Sequence, residues 1–385
     1  MISVVSLLLH AYVGLRLLPP LMAWPAPLIS LSLMLPVSAW LMPLGIGFGA
    51  RRSIKRGRWS DARVWLGWAG MGFFSSLLLL TLLRDLVLLL ATIVNALAPQ
   101  TLAMEGLHSY SALAVWAAAI IITLWGFINA RRTAAVVKID VPIAGLPSAL
   151  EGFLIAQISD IHVGPTIRHD YLHRIVTAVN RLRADMVAIT GDLVDGSVRD
   201  LGTHVAPLAT LSSRHGTYFV TGNHEYYSGA HAWIAELRRL GISVLLNSHV
   251  VLRHRAHSQD TEALAVIAGV TDYNAAHFDP AHRSDPKQAI AGAPADAGVR
   301  LLLAHQPRSA MAASAAGFDL QLSGHTHGGQ FLPWNFFVRL QQPVVAGLHR
   351  LHGLWVYTSR GAGYWGPPKR LGAPSEITLL RLVAA

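Results

Sequence analysis

No cysteine occurs in the 385 residues of this chain. That excludes disulfides and thiolate metal sites, so any transition metal must be held by nitrogen and oxygen donors. Charge is scarce as well. Only 14% of residues are Asp, Glu, Lys or Arg, against about 25% in an ordinary soluble protein. With 52% apolar residues and a mean hydropathy of +0.42, part of the chain belongs in lipid, and the apolar excess lies before residue 131. The formal net charge of +10 raises nucleic acid as a partner, but the placement of the basic residues argues against it. Arg51, Arg52, Lys55, Arg56, Arg58 and Arg63 cluster between two apolar runs, and Arg131, Arg132 and Lys138 follow another. Basic residues in such positions set membrane topology and meet anionic headgroups. No recognised nucleic-acid motif accompanies them, so nucleic acid is not expected as a partner.

Apolar runs at 2–18, 28–50, 64–83 and 111–130 predict an all-α membrane domain of about four helices over residues 1–132. Crossing a hydrocarbon core of roughly 30 Å takes about 20 residues, which makes the first run marginal. It lacks a basic leading segment and further spans follow it, so it does not read as a cleaved signal peptide. Trp59, Trp65 and Trp68 beside the basic loop fit an interfacial aromatic belt. Gly45, Gly47 and Gly49 lack the strand and helix of a nucleotide loop and read as close-packing positions. Arg84-Asp85 separates the third run from a short stretch at 86–98, which suggests that the span ends near Leu83. The alternative is one long helix over 64–98 with an intramembrane ion pair. Placing the basic segments 51–63 and 131–138 in the cytoplasm puts the N-terminus and the C-terminal domain inside a multi-pass cell-membrane (inner-membrane) protein.

After a linker at 133–149 the pattern changes. Phe153–Ile158, Met186–Thr190, Tyr218–Thr221, Leu264–Ala268, Val299–Ala304 and Phe318–Leu322 are apolar runs of strand length. Helix-like stretches at 170–184, 201–212 and 230–240 alternate with several of them, which predicts an α/β domain over 150–385. Leu354–Thr358 and Ile377–Val383 have no helix between them and suggest a second, mixed or antiparallel sheet, while 274–298 reads as a surface connection.

Five short segments fall just past predicted strand ends: Asp160-Ile161-His162, Gly191-Asp192, Gly222-Asn223-His224-Glu225, His305 and Gly324-His325-Thr326-His327. In open α/β sheets, loops at the carboxyl ends of strands converge on a ligand. Asp-x-His and His-x-His on extended backbone would each aim two donors the same way. The adjacent glycines permit tight turns. Asp160, His162, Asp192, Asn223, His305, His325 and His327 are too many ligands for one ion but enough for two if a carboxylate bridges. Such N/O donors suit Mn, Fe or Zn, and paired metals can activate water against a phosphoryl group. His224 stands where it could hydrogen-bond the phosphate or protonate the leaving oxygen. Asp195 and Glu225 read as partners that shape the site, whereas His169, His173, His254, His257, His282 and His349 read as incidental.

The five blocks, in this order, resemble the calcineurin-like metallophosphoesterase superfamily, whose pattern is D-x-H, G-D, G-N-H-[DE], H and G-H-x-H. The resemblance covers about residues 150–383 and extends to His305-Gln306-Pro307 and Ser359-Arg360-Gly361, details similar to a bacterial subgroup of membrane-associated phosphodiesterases. It implies a two-sheet β-sandwich flanked by helices. Asp160, His162, Asp192 and His327 would hold one metal. Asp192 as the bridge, with Asn223, His305 and His325, would hold the second. His224 and Asp192 would be the catalytic pair. Arg360 is open to two readings, a phosphate contact or a structural salt bridge. Phe331-Leu332-Pro333-Trp334-Asn335-Phe336-Phe337 is open to core packing or to docking on a bilayer or acyl chain.

The resulting expectation is a membrane-anchored phosphoesterase with two divalent transition-metal ions, cleaving a phosphodiester or pyrophosphate of a lipid or lipid-linked nucleotide. Its partners would be membrane lipid and a phosphorylated small-molecule or lipid substrate; the sequence carries no signal of oligomeric state. Two rivals stand beside it: the same chemistry on soluble nucleotides or phosphoproteins, and a non-catalytic membrane sensor or transporter subunit.

Overall fold

The computed structural model describes residues 2–50, 58–255 and 261–385. Arg51, Arg52, Lys55 and Arg56 of the basic cluster, and His257, lie outside the described residues, as do the side chains of Arg58 and Trp59. The chain divides into two compact units, Met1–Arg131 with Gly366–Leu371, and Arg132–Trp365 with Gly372–Ala385.

The first unit is helical: α1 (Ile2–Leu17), α2 (Pro25–Ala50), α3 (Arg58–Leu97) and α4 (Met104–Arg131). Three stretches, Pro25–Pro43, Asp61–Leu97 and Met104–Arg131, are long and apolar enough to cross a membrane, and α1 is shorter. Val13, Leu17, Leu31, Leu77 and Ala119 form the interior of the bundle. Leu7, Leu15, Leu33, Leu66 and Ile121 point outward and exposed, an apolar exterior that suits hydrocarbon rather than water. Within this unit Lys369 donates from Nζ to the Gly72 carbonyl at 2.8 Å.

Arg84 and Asp85 do not end the third helix. Helix α3 runs unbroken through them, because both charges find partners on neighbouring helices. The Asp85 carboxylate accepts from Tyr12 at 2.6 Å and from Arg16 Nε and Nη2 at 2.7 and 3.0 Å. Buried Arg84 donates to Ser111 Oγ at 2.9 Å and to the His108 carbonyl at 3.0 Å. A buried cation without such acceptors would be strongly destabilising. The one long helix of the alternative reading is therefore observed.

The second unit holds two six-stranded sheets. Its strands are β1 (Ala135–Ile143), β2 (Leu154–Ile158), β3 (Met186–Ile189), β4 (Thr217–Phe219), β5 (Ser243–Val244), β6 (Ser248–Arg255), β7 (Glu262–Gly269), β8 (Val299–Leu303), β9 (Leu320–Ser323), β10 (Gly347–Leu351), β11 (Leu354–Thr358) and β12 (Glu376–Ala384). One sheet has the order β1-β12-β2-β3-β4-β5 and the other β10-β11-β9-β8-β7-β6. Strands β2 to β5 are parallel, as are β7, β8, β9 and β11. The fully buried side chains of β3 read as a continuous apolar run for that reason. Ile155, Met186 and Leu380 of one sheet pack against Leu301, Leu320 and Tyr357 of the other in a single core. Helices α5 (His169–Arg181), α6 (Val198–Val205), α7 (Asn223–Ser228) and α8 (Ala230–Arg239) complete the layer beside the first sheet's strands in sequence.

One expectation needs correcting and one is met in part. The stretch 133–149 is not merely a linker, since it carries β1, a nine-residue strand paired in parallel with β12. Lys138, Asp140 and Pro142 hid it, because an edge strand keeps polar residues on its wet face. The expected second sheet is present and mixed, but it takes only one of the two late strands. Strand β11 extends the second sheet beside β9, and β12 inserts into the first between β1 and β2.

The inter-sheet core supplies a test. Leu301 is fully buried between the sheets, so Leu301→Ala should destabilise the second unit by about 2–5 kcal/mol through lost burial and a residual cavity. The expected readout is a lowered midpoint for loss of β-sheet circular dichroism, with the helical signal of the first unit retained.

Candidate metal centre

Each predicted site segment leaves the carboxyl end of a strand: Asp160 after β2, Asp192 after β3, Asn223 after β4, His305 after β8 and His325 after β9. Three of these strands belong to one sheet and two to the other. The loops are stitched together by backbone bonds, Asp160 N–H to Gly191 O at 3.0 Å, His162 N–H to Asp192 O at 3.1 Å and Gly324 N–H to His305 O at 2.9 Å. Across the sheets, His305 Nδ1 lies 2.7 Å from Thr190 O, and Gln157 Nε2 donates to Ser323 O at 2.9 Å.

The two donor pairs do not lie on extended backbone. Asp160, His162, Asp192, His325 and His327 have φ of 53°, 55°, 51°, 70° and 52°. Asp and His tolerate the left-handed region better than most residues but still incur strain there. This tight winding, rather than strand alternation, directs the donors inward. Gly191, at φ 89°, needs that freedom, and a Cβ there would come within 2.8 Å of His305 Nδ1. At Gly222 and Gly324 the reason is room: a Cβ would collide with the Asp192 carboxylate at the first and the Asp160 carboxylate at the second.

The donors form overlapping clusters: Asp160 with His162 and His327, His162 with Asp192 and His224, and Asp192 with His305 and His325. His162 Nε2 lies 3.0 Å from His327 Nε2, which is 3.5 Å from Asp160 Oδ1. On the other side, Asp192 Oδ2 lies 3.2 Å from His305 Nε2, which is 3.2 Å from His325 Nδ1. Asp192 Oδ2 is also 3.9 Å from His162 Nε2, so this carboxylate sits between the two groups. The structure thus brings all six of the acid and imidazole donors predicted from sequence together, with buried Asn223 beside them at the start of α7.

Does this set fit metal? The Asn223 Oδ1 atom is buried and has no hydrogen-bond partner. A buried amide oxygen left so is costly unless something electropositive meets it. Electrostatics point the same way. Burial works against a charge on His305, yet Asp192, Asp160 and Asp272 overcome it and hold its pKa well above the ordinary value. A cation is favoured at that spot. Burial, with His305 adding to it, pulls His325 down to about 3, leaving a neutral imidazole able to act as a ligand. The residues present fit divalent metal ions.

His224 is oriented by Asp195. Its Nδ1 lies 2.6 Å from Asp195 Oδ1, which also takes His162 Nδ1 at 3.0 Å. The His224 Nε2 edge faces the cluster, 4.0 Å from Asp192 Oδ2. Burial lowers the His224 pKa, but Asp192 and Asp195 outweigh it and raise it to about 9. Glu225 shapes the loops by accepting backbone N–H groups of Leu193, Asp192 and Gly222 at 2.7, 3.0 and 2.6 Å. Arg360 donates to Glu376 at 2.6 Å, the structural salt bridge of its two readings. In the aromatic loop only Phe331 is buried; Leu332, Trp334, Phe336 and Phe337 are 44–62% exposed.

Sequence reasoning passed over Asp272. It is fully buried, accepts from Gln306 Nε2 at 2.9 Å and so braces the loop after His305. Its position just past β7, another parallel strand of the second sheet, was the available signal. Tyr227 and Trp365 were also missed; their rings lie 5.1 and 5.8 Å from His224 and give it an aromatic rim.

A two-sheet fold with these donors at its strand ends defines a metallophosphoesterase domain. The family model described as calcineurin-like phosphoesterase matches residues 153–329. A "Transmembrane protein with metallophosphoesterase domain" of Bos taurus is 41% identical over 272 residues, which cover 69% of this chain and 61% of that protein. Its Danio rerio counterpart is 38% identical over 270 residues, again 69% and 61%. An uncharacterized metallophosphoesterase of Aquifex aeolicus is 32% identical over 239 residues, 62% of this chain and 87% of that protein. This chain belongs to the calcineurin-like metallophosphoesterase family. It spans about three fifths of the length of its transmembrane relatives.

The room at Gly324 gives a prediction. In Gly324→Ala the new methyl group would displace the Asp160 carboxylate, so the purified variant should retain fewer manganese ions per chain than wild type by elemental analysis, while its β-sheet circular dichroism is kept.

Proposed function

We propose that this chain is a multi-pass cell-membrane phosphoesterase that holds two divalent transition-metal ions, Mn, Fe or Zn, and hydrolyses a phosphodiester or pyrophosphate of a lipid or lipid-linked nucleotide. The observation that carries the hydrolytic reading is the convergence of Asp160, His162, Asp192, His305, His325 and His327, with the orphaned Asn223 Oδ1 on the residue before His224. Asp160, His162, Asp192 and His327 would hold one ion, and Asp192, Asn223, His305 and His325 the other. When bound, the ions supply Lewis-acid polarisation of the phosphoryl group and help deprotonate an attacking water.

The chain's own residues do the rest. Asp192, in contact with both donor groups, keeps their spacing fixed. Asp195 holds the His224 ring by Nδ1, leaving Nε2 to hydrogen-bond a phosphoryl oxygen or deliver its proton to the leaving oxygen. The raised pKa keeps that proton in place at neutral pH. Side chains of Asp160, His162, Asp192 and His305 are nearly inaccessible, whereas His224 remains partly open, as a group that must meet substrate should be.

Support for a lipid-borne substrate comes from the apolar helices in the same chain and from exposed Leu332, Trp334, Phe336 and Phe337 directly after the His325–His327 segment. An aromatic loop of this kind binds interfaces and acyl chains. Arg131 at the end of α4, Arg132 just past it and Lys138 on β1 favour a cytoplasmic hydrolase domain by the positive-inside rule.

His224→Ala should lower kcat by about 10²–10⁴-fold, the usual worth of a positioned proton donor, with metal content unchanged by elemental analysis. Asp192→Ala should lose both activity and the metal of the catalytic cluster; equal turnover of phosphodiester reporters by wild type and both variants would overturn the hydrolytic reading. Asp195→Asn removes a charge that holds the His224 proton, so the alkaline limb of kcat should move to lower pH than in wild type. Against micellar lipid-linked pyrophosphates, Phe336→Asp/Phe337→Asp should raise KM while leaving turnover of a soluble diester unaltered. A reporter fused after Ala385 that works only outside the cytoplasm would reverse the topology.

A further inference from the structure

A second set of metal-binding side chains lies away from the catalytic cluster. His231, near the start of α8, and Asp279 and His282, on the segment after β7, place one donor atom each within 4.8 Å of one another. His231 Nε2 is 2.9 Å from Asp279 Oδ2, which is 3.9 Å from His282 Nε2, and the two rings are 5.0 Å apart. We propose that His231, Asp279 and His282 form a third divalent-metal site, of zinc class, distinct from the catalytic pair.

The remaining polar atoms of Asp279 and His282 are committed elsewhere, in the manner of ligands held ready. Asp279 Oδ1 caps the turn by accepting from Ala281 N–H at 3.0 Å, so Oδ2 is the atom left facing the histidines. His282 Nδ1 lies 2.8 Å from the Tyr226 hydroxyl, which fixes the ring and leaves Nε2 free to coordinate. The His282 backbone is held in turn, its carbonyl accepting from Thr271 Oγ1 at 2.7 Å. Outer partners that orient imidazole ligands are a regular feature of zinc sites. Burial lowers the pKa of His282, which favours the neutral ligand form, and the Ala281 N–H keeps Asp279 ionised. Two imidazoles and one carboxylate are a zinc donor set, with the fourth position open to water on the exposed His231 side.

The site has a structural consequence. Tyr226 stands two residues past His224 on α7, and Phe278, beside Asp279, packs its ring 5.8 Å from Tyr226 and 5.5 Å from Tyr227. Tyr227 in turn packs against His224. An ion at His231, Asp279 and His282 would tie α8 to the 275–282 segment and so fasten Phe278 over the aromatic rim beside His224.

The test uses full-length chain in detergent, loaded with zinc(II), dialysed, and analysed for zinc per chain. His231 is 74% exposed in its side chain, so His231→Ala is not expected to disturb folding, and Asp279→Asn keeps the capping oxygen while replacing the ligand oxygen. Each variant should hold one zinc ion fewer than wild type. In an Asp192→Ala background, where the catalytic cluster is broken, zinc should still bind, and adding His231→Ala should remove it. That arm reports on the third site independently of the hydrolytic reading. Cobalt(II) bound in the Asp192→Ala background should give a visible ligand-field band that disappears with His231→Ala. Equal zinc content in wild type and both single variants would overturn the proposal.

Discussion

The carboxylate of Asp192 is the point on which the site depends. It lies between two sets of imidazoles, 3.2 Å from His305 on one side and 3.9 Å from His162 on the other, and its Oδ1 accepts the backbone N–H of His224 at 2.9 Å. Nothing wider than glycine at 222 would fit against it. Glu225 then secures the loop that carries it through three backbone N–H groups. Because β3, which delivers Asp192, is a buried parallel strand flanked by β2 and β4, the carboxylate inherits the rigidity of the sheet. Concentrating two buried carboxylates and four imidazoles around one point is unfavourable unless compensating charge is present. The family's chemistry supplies that charge as metal.

Around that point the two sheets have separate duties. The first brings Asp160, Asp192 and the Asn223–His224 turn, and the second brings His305, His325 and His327. Bonds from His305 to Thr190 O and from Gln157 to Ser323 O join the two halves beneath the donors. The site is therefore a property of the sandwich interface, and its geometry rests on the same inter-sheet packing that includes Ile155 and Leu301.

The donors were legible in the sequence because chemistry confines them: Asp, Asn and His beside glycine, each following a short apolar run. What escaped was set by long-range contacts. Strand β1 reads as linker because Lys138 and Asp140 face outward, and only its partner β12, over two hundred residues later, makes it a strand. The continuity of α3 through Arg84-Asp85 depends on Tyr12, Arg16, His108 and Ser111. Asp272 has no motif of its own, and its role appears only when Gln306 is beside it. His282 looked incidental until the fold set it next to His231 and Asp279. The direction of Asp160 and His162 was foreseen, but the cause was not: left-handed backbone, not an extended strand, turns them inward.

Five left-handed residues among the donors also mean that this domain is not built for its own greatest durability. Each such position stores strain of order 1–3 kcal/mol that a glycine would release. Selection for heat resistance alone would thus erode the centre one donor at a time, leaving a sturdier but inert scaffold. The presence of all seven donors in this chain marks a fold in which durability is subordinate to the ions the centre is shaped to hold.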